Sequence, residues 1–170
     1  ETKPIKDKIE VPEVYQYKAR AMVRNKAKVN GLVVITLRNG RKKGMAAEIT
    51  AQSLKGASKN GYAYLDQDVG FDMKRSVVNA MMALQNRYPL MEAHKDIMLS
   101  FDERESMKDG NSAGIAFTLL LYSMYEGINI DPQVAVTGVM MPDCGVKAVG
   151  GVPSKIRGAW QKGLKIAIIP

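Results

Sequence analysis

Two short stretches of this 170-residue chain hold side chains whose type and position suit chemistry. In Lys108–Gly114, KDGNSAG, a serine stands where a Gly-containing turn runs into a long apolar segment. Ser112 fits two readings there. As a helix N-cap, its hydroxyl would accept one of the first backbone N–H groups. As a nucleophile, it would sit beside helix-start N–H groups that lack intrahelical partners and suit an oxyanion. The second stretch is Gly150–Lys155, GGVPSK, where a strand ends in two glycines and a helix begins. Lys155 falls in the first turn, where the helix dipole disfavours a positive charge. If it is also buried, its amine is pushed toward the neutral form and can serve as a general base. A solvated helix-start lysine is the plainer reading. Taken singly, each segment favours the plain alternative: a cap for Ser112 and water for Lys155.

Other hydrolytic constellations have little support. A Ser-His-Asp triad would have to use His94, the only histidine, which stands in the polar run EAHKD and reads as a surface residue. A Cys-His pair would need Cys144, the only cysteine, and nothing in the sequence brings it to His94. One Cys and one His also exclude a Cys/His zinc cluster built by one chain, and a single Cys excludes an intrachain disulfide. No GxSxG elbow is present, and no GxxxxGK[ST] loop for binding a nucleotide.

The elements that must position these residues read as a mixed α/β domain. Its span is 21–170, behind a polar N-terminal arm or linker at 1–20 with Pro4 and Pro12. Leu32–Leu37 is a β-branched run between two Asn-Gly pairs and reads as a strand between turns. Met45–Ala51, Tyr62–Leu65 and the alternating Ile97–Phe101 read as further strands, with KGASKNG a loop. Phe71–Tyr88 carries Met73, Val77, Met81 and Leu84 at helical spacing; its methionines read as core filler. Ser112–Tyr125 is apolar on most faces and reads as a buried central helix that Gly127 ends. Val134–Thr137, Val146–Val149 and Lys165–Ile169 read as short strands. Pro153–Lys162 reads as a third helix with Pro in its first turn.

The chain is 46% hydrophobic and 25% charged, which is globular composition. No apolar run approaches the roughly 18 residues of a membrane span, and a cytoplasmic setting is favoured. The net charge of +8 gathers at Lys18–Lys28 and Arg38–Lys43. Solvated loop and edge-strand charge explains it better than a nucleic-acid surface, because no aromatics interleave for base stacking. The chain begins at Glu1, and KIAIIP reads as a strand cut at Pro170, so a longer parent protein is expected.

Together these stretches resemble the proteolytic domain of Lon proteases, peptidases with a Ser-Lys dyad. KDGNSAG resembles the family's KDGPSAG, and VAVTG (Val134–Gly138) its TG-containing strand. GGVPSK places Lys155 43 residues after Ser112, in agreement with the family's dyad spacing. GAWQKGLKIAIIP, VGFDMKRSVVNAM and KVNGLVV resemble three further family segments, so the likeness runs from about Lys28 to Pro170. It implies the Lon proteolytic-domain fold, of α+β type with small mixed sheets packed on a buried central helix. It implies Ser112 as nucleophile, Lys155 as base, and Thr137 as the hydroxyl that hydrogen-bonds the lysine. Backbone N–H groups of Gly110, Asn111 and Ser112 would then hold the oxyanion. Asp109 would either order the loop or pair with Lys155 in a resting state. Protein or peptide substrates are implied, paired with a strand edge near Asp102–Met107, and assembly into an oligomer such as a hexameric ring. No metal or other cofactor is implied, with ATP needed only by an ATPase module elsewhere. The family domain would continue beyond Pro170. Asn111 in place of proline, Val139 in place of glutamate, MMPDCG and DERES depart from the family pattern. The alternative is a non-catalytic Lon-like domain used for assembly or for binding a partner such as nucleic acid.

Overall fold

The computed structural model describes residues 22–54, 62–87 and 96–170. The expected arm at 1–20, the loop KGASKNG and His94 lie outside the described residues. The chain backbone is a long hairpin of β1 (Lys26–Thr36) and β2 (Lys42–Ser53), paired antiparallel from Lys26–Gln52 to Thr36–Lys42. β3 (Ala63–Leu65) and β4 (Ile97–Phe101) extend the sheet beyond β2, while β5 (Val134–Val136) and β8 (Ile166–Ile168) extend it beyond β1. The order is β3-β4-β2-β1-β5-β8, with β6 (Val139–Met140) and β7 (Val146–Lys147) forming a separate two-stranded ribbon.

β1 begins well before the strand expected at Leu32–Leu37, so Asn30-Gly31 is not a turn. The Asn30 amide donates to the carbonyls of Pro132 and Val134, 3.0 and 3.3 Å away, which satisfies a polar side chain inside the sheet. Gly31 lies under Ile49, where a Cβ would come within 2.7 Å of that side chain's tip. The real turn is at Asn39-Gly40, where Gly40 has φ +76.

Alternation along the hairpin serves two layers, as a pleated strand requires. Ala27, Val29 and Val33 of β1, with Ala47, Ile49 and Ala51 of β2, face the main core. Leu32 and Ala46 face the opposite side and pack with Ala135 and Ala159. The main core is closed by α1 (Phe71–Arg87) and α2 (Gly114–Glu126). Ala116, Phe117, Leu120, Leu121 and Met124 of α2 have no exposed surface, which is the buried central helix the sequence implies. α2 stops at Gly127, left-handed at φ 70, whose N–H donates to the Ser123 carbonyl. β6 was not anticipated, because two residues after a glycine carry no periodicity.

α3 (Val152–Gln161) covers the other face. It lies so close to β2 that both contact points are glycine. A Cβ on Gly158 would stand 2.5 Å from Met45 Cα, and one on Gly44 would stand 2.1 Å from the Ser154 carbonyl oxygen. Gly158→Ala should therefore push α3 off the sheet although alanine is the better helix former. Overpacking of about 1–3 kcal/mol outweighs a helix-propensity gain of about 1 kcal/mol. The expected outcome is a Tm about 5 °C lower by calorimetry; an unchanged or higher Tm would contradict the close contact.

Candidate active site

Ser112 and Lys155 reach one cavity from opposite faces of the sheet, delivered by α2 and α3. Gly110 takes φ +95 and turns the chain after Asp109; Asn111 and Ser112 follow, and α2 starts at Gly114. The helix begins two residues later than the sequence suggests. Its cap is Ala113, with no side-chain cap bond, and Ser112 Oγ makes no hydrogen bond among the described residues. The capping role is therefore not what holds Ser112. Its carbonyl does so, accepting the Gly138 N–H at 2.9 Å and the Thr137 hydroxyl at 3.1 Å. The Ile115 N–H returns a bond to the Gly138 carbonyl at 3.1 Å. The start of α2 is thus stitched to the chain leaving β5.

Lys155 is the fourth residue of α3, and its N–H donates to the Gly151 carbonyl at 3.0 Å. Gly151 is left-handed at φ 69, and Pro153 fits the first turn, where it loses no helical bond. The side chain points inward and is 2% exposed, so Lys155 is not a solvated helix-start lysine. Nζ donates to Thr137 Oγ1 at 3.0 Å and has no carboxylate partner among the described residues. Burial without a counter-charge lowers its pKa from 10.5 to about 8. Thr137 is also 2% exposed and uses both capacities of its hydroxyl, accepting from Lys155 and donating to Ser112.

A direct Ser112–Lys155 hydrogen bond is not formed. The two side chains instead line one open cavity of about 360 Å³, together with Val34, Asp109, Asn111 and Gly150. Asp109 does not pair with Lys155. Its Oδ1 accepts the N–H of Gly110 at 2.7 Å and of Met73, near the start of α1, at 3.3 Å. It lies against Gly70, where any Cβ would fall inside the carboxylate. Of the two readings of Asp109, loop ordering is the one with contacts behind it. Because the Gly110 N–H is engaged there, only Asn111 and Ser112 of the three expected donors keep N–H groups without a described acceptor.

Composition hid one buried residue beside this site. Lys108, in a charge-rich run, looks solvated, yet it is 2% exposed. Its Nζ donates to the Glu103 carboxylate and to the carbonyls of Glu103 and Ser106, and lies 5.2 Å from the Phe101 ring centre. Burial would raise the Glu103 pKa, but the bonds from Lys108 and Ser106 and the lysine charge override it and lower it to about 2. The segment expected to offer a strand edge, Asp102–Met107, is instead wound around this lysine and carries no strand. The MMPDCG departure is the β6–β7 turn, which Asn79 and Asn86 of α1 tie down through the carbonyls of Met140 and Pro142. Among the described residues no group of three His, Cys, Asp or Glu could hold a metal ion. No described helix is long and apolar enough to cross a membrane.

Comparison with known proteins gives the chain a family. A family model described as the Lon protease (S16) C-terminal proteolytic domain matches residues 12–170. The chain belongs to that family, one of serine peptidases. It is similar to an archaeal Lon protease of Archaeoglobus fulgidus, 32% identical over 144 residues, covering 84% of this chain and 22% of that protein. Lon protease 2 of Bacillus subtilis is 32% identical over 151 residues, covering 84% of this chain and 27% of that protein. Lon protease of Clostridium beijerinckii is 30% identical over 129 residues, covering 74% and 16%. The chain thus spans about a quarter or less of the length of the curated relatives it matches.

Two consequences are measurable. Lys155 binds its proton less tightly folded than unfolded, so stability rises with pH from about 8 to 10.5 and the cost of burying the charge is present at pH 7. Lys155→Met should raise stability at pH 7 by about 2 kcal/mol in denaturant titrations and flatten that rise; destabilisation would contradict the unpaired buried amine. Glu103 behaves oppositely. Its contribution is complete above pH 4.5 and is lost as pH falls toward about 2. Glu103→Gln should reduce the loss of stability in that window, measured as Tm against pH, and an unaltered profile would refute the ion pair's role.

Proposed function

We propose that this chain is a Ser-Lys peptidase domain that hydrolyses peptide bonds of protein substrates through an acyl-enzyme. The observation that carries the reading is Lys155: a buried amine without a carboxylate partner among the described residues, hydrogen-bonded to a threonine that also bonds the Ser112 carbonyl. Such an amine is partly neutral near pH 8, and the Thr137 contact sets the direction in which its lone pair points.

Neutral Lys155 takes the proton from Ser112 Oγ as that oxygen attacks the peptide carbonyl. The step requires Nζ and Oγ to close the gap across the cavity, by side-chain rotation when substrate excludes water; catalytic hydrogen bonds are often long before substrate binds. The oxyanion is met by the N–H groups of Asn111 and Ser112. Lys155 gives its proton to the leaving amine, the acyl-enzyme forms, and a water deprotonated by Lys155 releases the acid. Thr137 keeps the amine aimed, and Asp109 keeps the Gly110 turn in place from α1. This chemistry calls on no metal or nucleotide; ATP would serve only an ATPase module elsewhere in a longer protein. Ring assembly, as in the family, belongs to the same proposal.

The test is cleavage of casein and of a fluorogenic peptide library. Ser112→Ala and Lys155→Ala should each lower kcat/KM on the order of 10³-fold or more while the fold persists by circular dichroism. Wild-type activity should climb with pH through a midpoint near 8, the folded pKa of Lys155. An optimum below pH 6, or cleavage that survives both substitutions, would sink the dyad.

A further inference from the structure

Next to the Ser112 cavity, the β1–β2 turn and α3 enclose a second cleft of about 290 Å³. The two share a wall: Lys42 lines both, and Ser154, adjacent to Lys155 in the chain, lines the second. The second cleft is cationic. Arg41, Lys42, Lys43 and Arg157 line it, and among the described residues no acidic or aromatic side chain does. The described ion pairs join Lys28 to Glu48, Arg104 to Asp66, Lys108 to Glu103 and Lys162 to Asp102. None uses a cation of the cleft, and none of those four has a carboxylate partner among the described residues.

Like charges gathered around a concavity without counter-charge repel one another, and the low-dielectric walls focus their field outward. The start of α3, which has no acid in its first turn, adds its own positive end. Asp109, the one acid lining the Ser112 cavity, already has its Oδ1 engaged by two N–H groups. An anion entering along the wall from the nucleophile therefore meets four cations with nothing to compete for them. A carboxylate suits them, since the two guanidinium groups can bind it with paired N–H donors.

We infer that this cleft is a specificity subsite for acidic side chains of the peptide substrate, with Arg41 and Arg157 as its main determinants. It rests on the peptidase reading. The cleft borders the Ser112 cavity through Lys42, so the acidic residue flanks the scissile bond. A single-stranded nucleic acid is the weaker candidate, because the cleft offers no aromatic face for bases.

The experiment uses two labelled peptides that differ only by Glu→Gln at the positions flanking the cut. Binding is measured by fluorescence anisotropy on Ser112→Ala protein, and cleavage on the otherwise native chain. The Glu peptide should bind about tenfold more tightly than the Gln peptide at low salt, and the ratio should shrink at high salt. Arg41→Glu/Arg157→Glu should bring the ratio to one or below while the fold persists by circular dichroism. Equal affinities, or a ratio that survives the double charge reversal, would overturn the subsite. So would a short single-stranded oligonucleotide that binds more tightly than the Glu peptide and is lost in the same variant. If neither peptide is cut by the native chain, the peptidase reading falls, and the binding ratio still judges the cleft separately.

Discussion

A lysine amine taken out of water, with no acid beside it among the described residues, is the constraint on which the site turns. Such a group costs the fold stability for as long as it carries a proton, so it persists only where surrounding structure holds it. Here α3 cannot swing out, because two glycines let it press directly against β2. Lys155 is carried inward on that helix and meets a threonine whose second bond is already spent on the Ser112 carbonyl. A carboxylate at that spot would have stabilised the ammonium and raised its pKa. A hydroxyl satisfies one N–H without that effect.

The serine side is held by other means. Ser112 lies just ahead of a helix whose cap is an alanine, so its hydroxyl is not consumed by capping. The loop before it is fixed through Asp109 to the start of α1, and through Lys108 to the Glu103–Ser106 turn. Asn111 stands where the family has proline. With neighbours anchored on both sides, backbone rigidity there does not depend on a proline ring. Asn111 and Ser112, whose N–H groups are left over, line the same cavity as the lysine.

The core explains why these two halves agree in position. α2 and α3 lie on opposite faces of one hairpin, and β1 and β2 send alternate side chains to each. β5 runs beside β1 for only two paired residues and then diverges. That divergence lets Thr137 and Gly138 turn toward Ser112 in place of continuing the ladder. A sheet edge that stays open at this point leaves room for the cavity, with Val34 of β1 on its wall.

Much of this was legible in the residues. Local patterns determined the three helices to within a residue or two, and most of the strands, because apolar periodicity is a property of neighbours in the chain. The ordered motifs around Ser112, Thr137 and Lys155 pointed to these residues by resemblance, and hydrogen bonds in the folded chain link all three. What the residues alone could not decide was set by distant contacts. Asn30-Gly31 looks like a turn and is mid-strand, because the chain at Pro132 and Val134 satisfies the asparagine amide. Lys108 looks solvated and is buried, because Asp102–Met107 winds back to enclose it. Ser112 looks like a cap, Asp109 looks available to Lys155, and the Gly110 N–H looks free. Each was decided otherwise, because hydrogen-bond partners are assigned among groups that only the folded chain brings together, and sequence spacing does not report that competition.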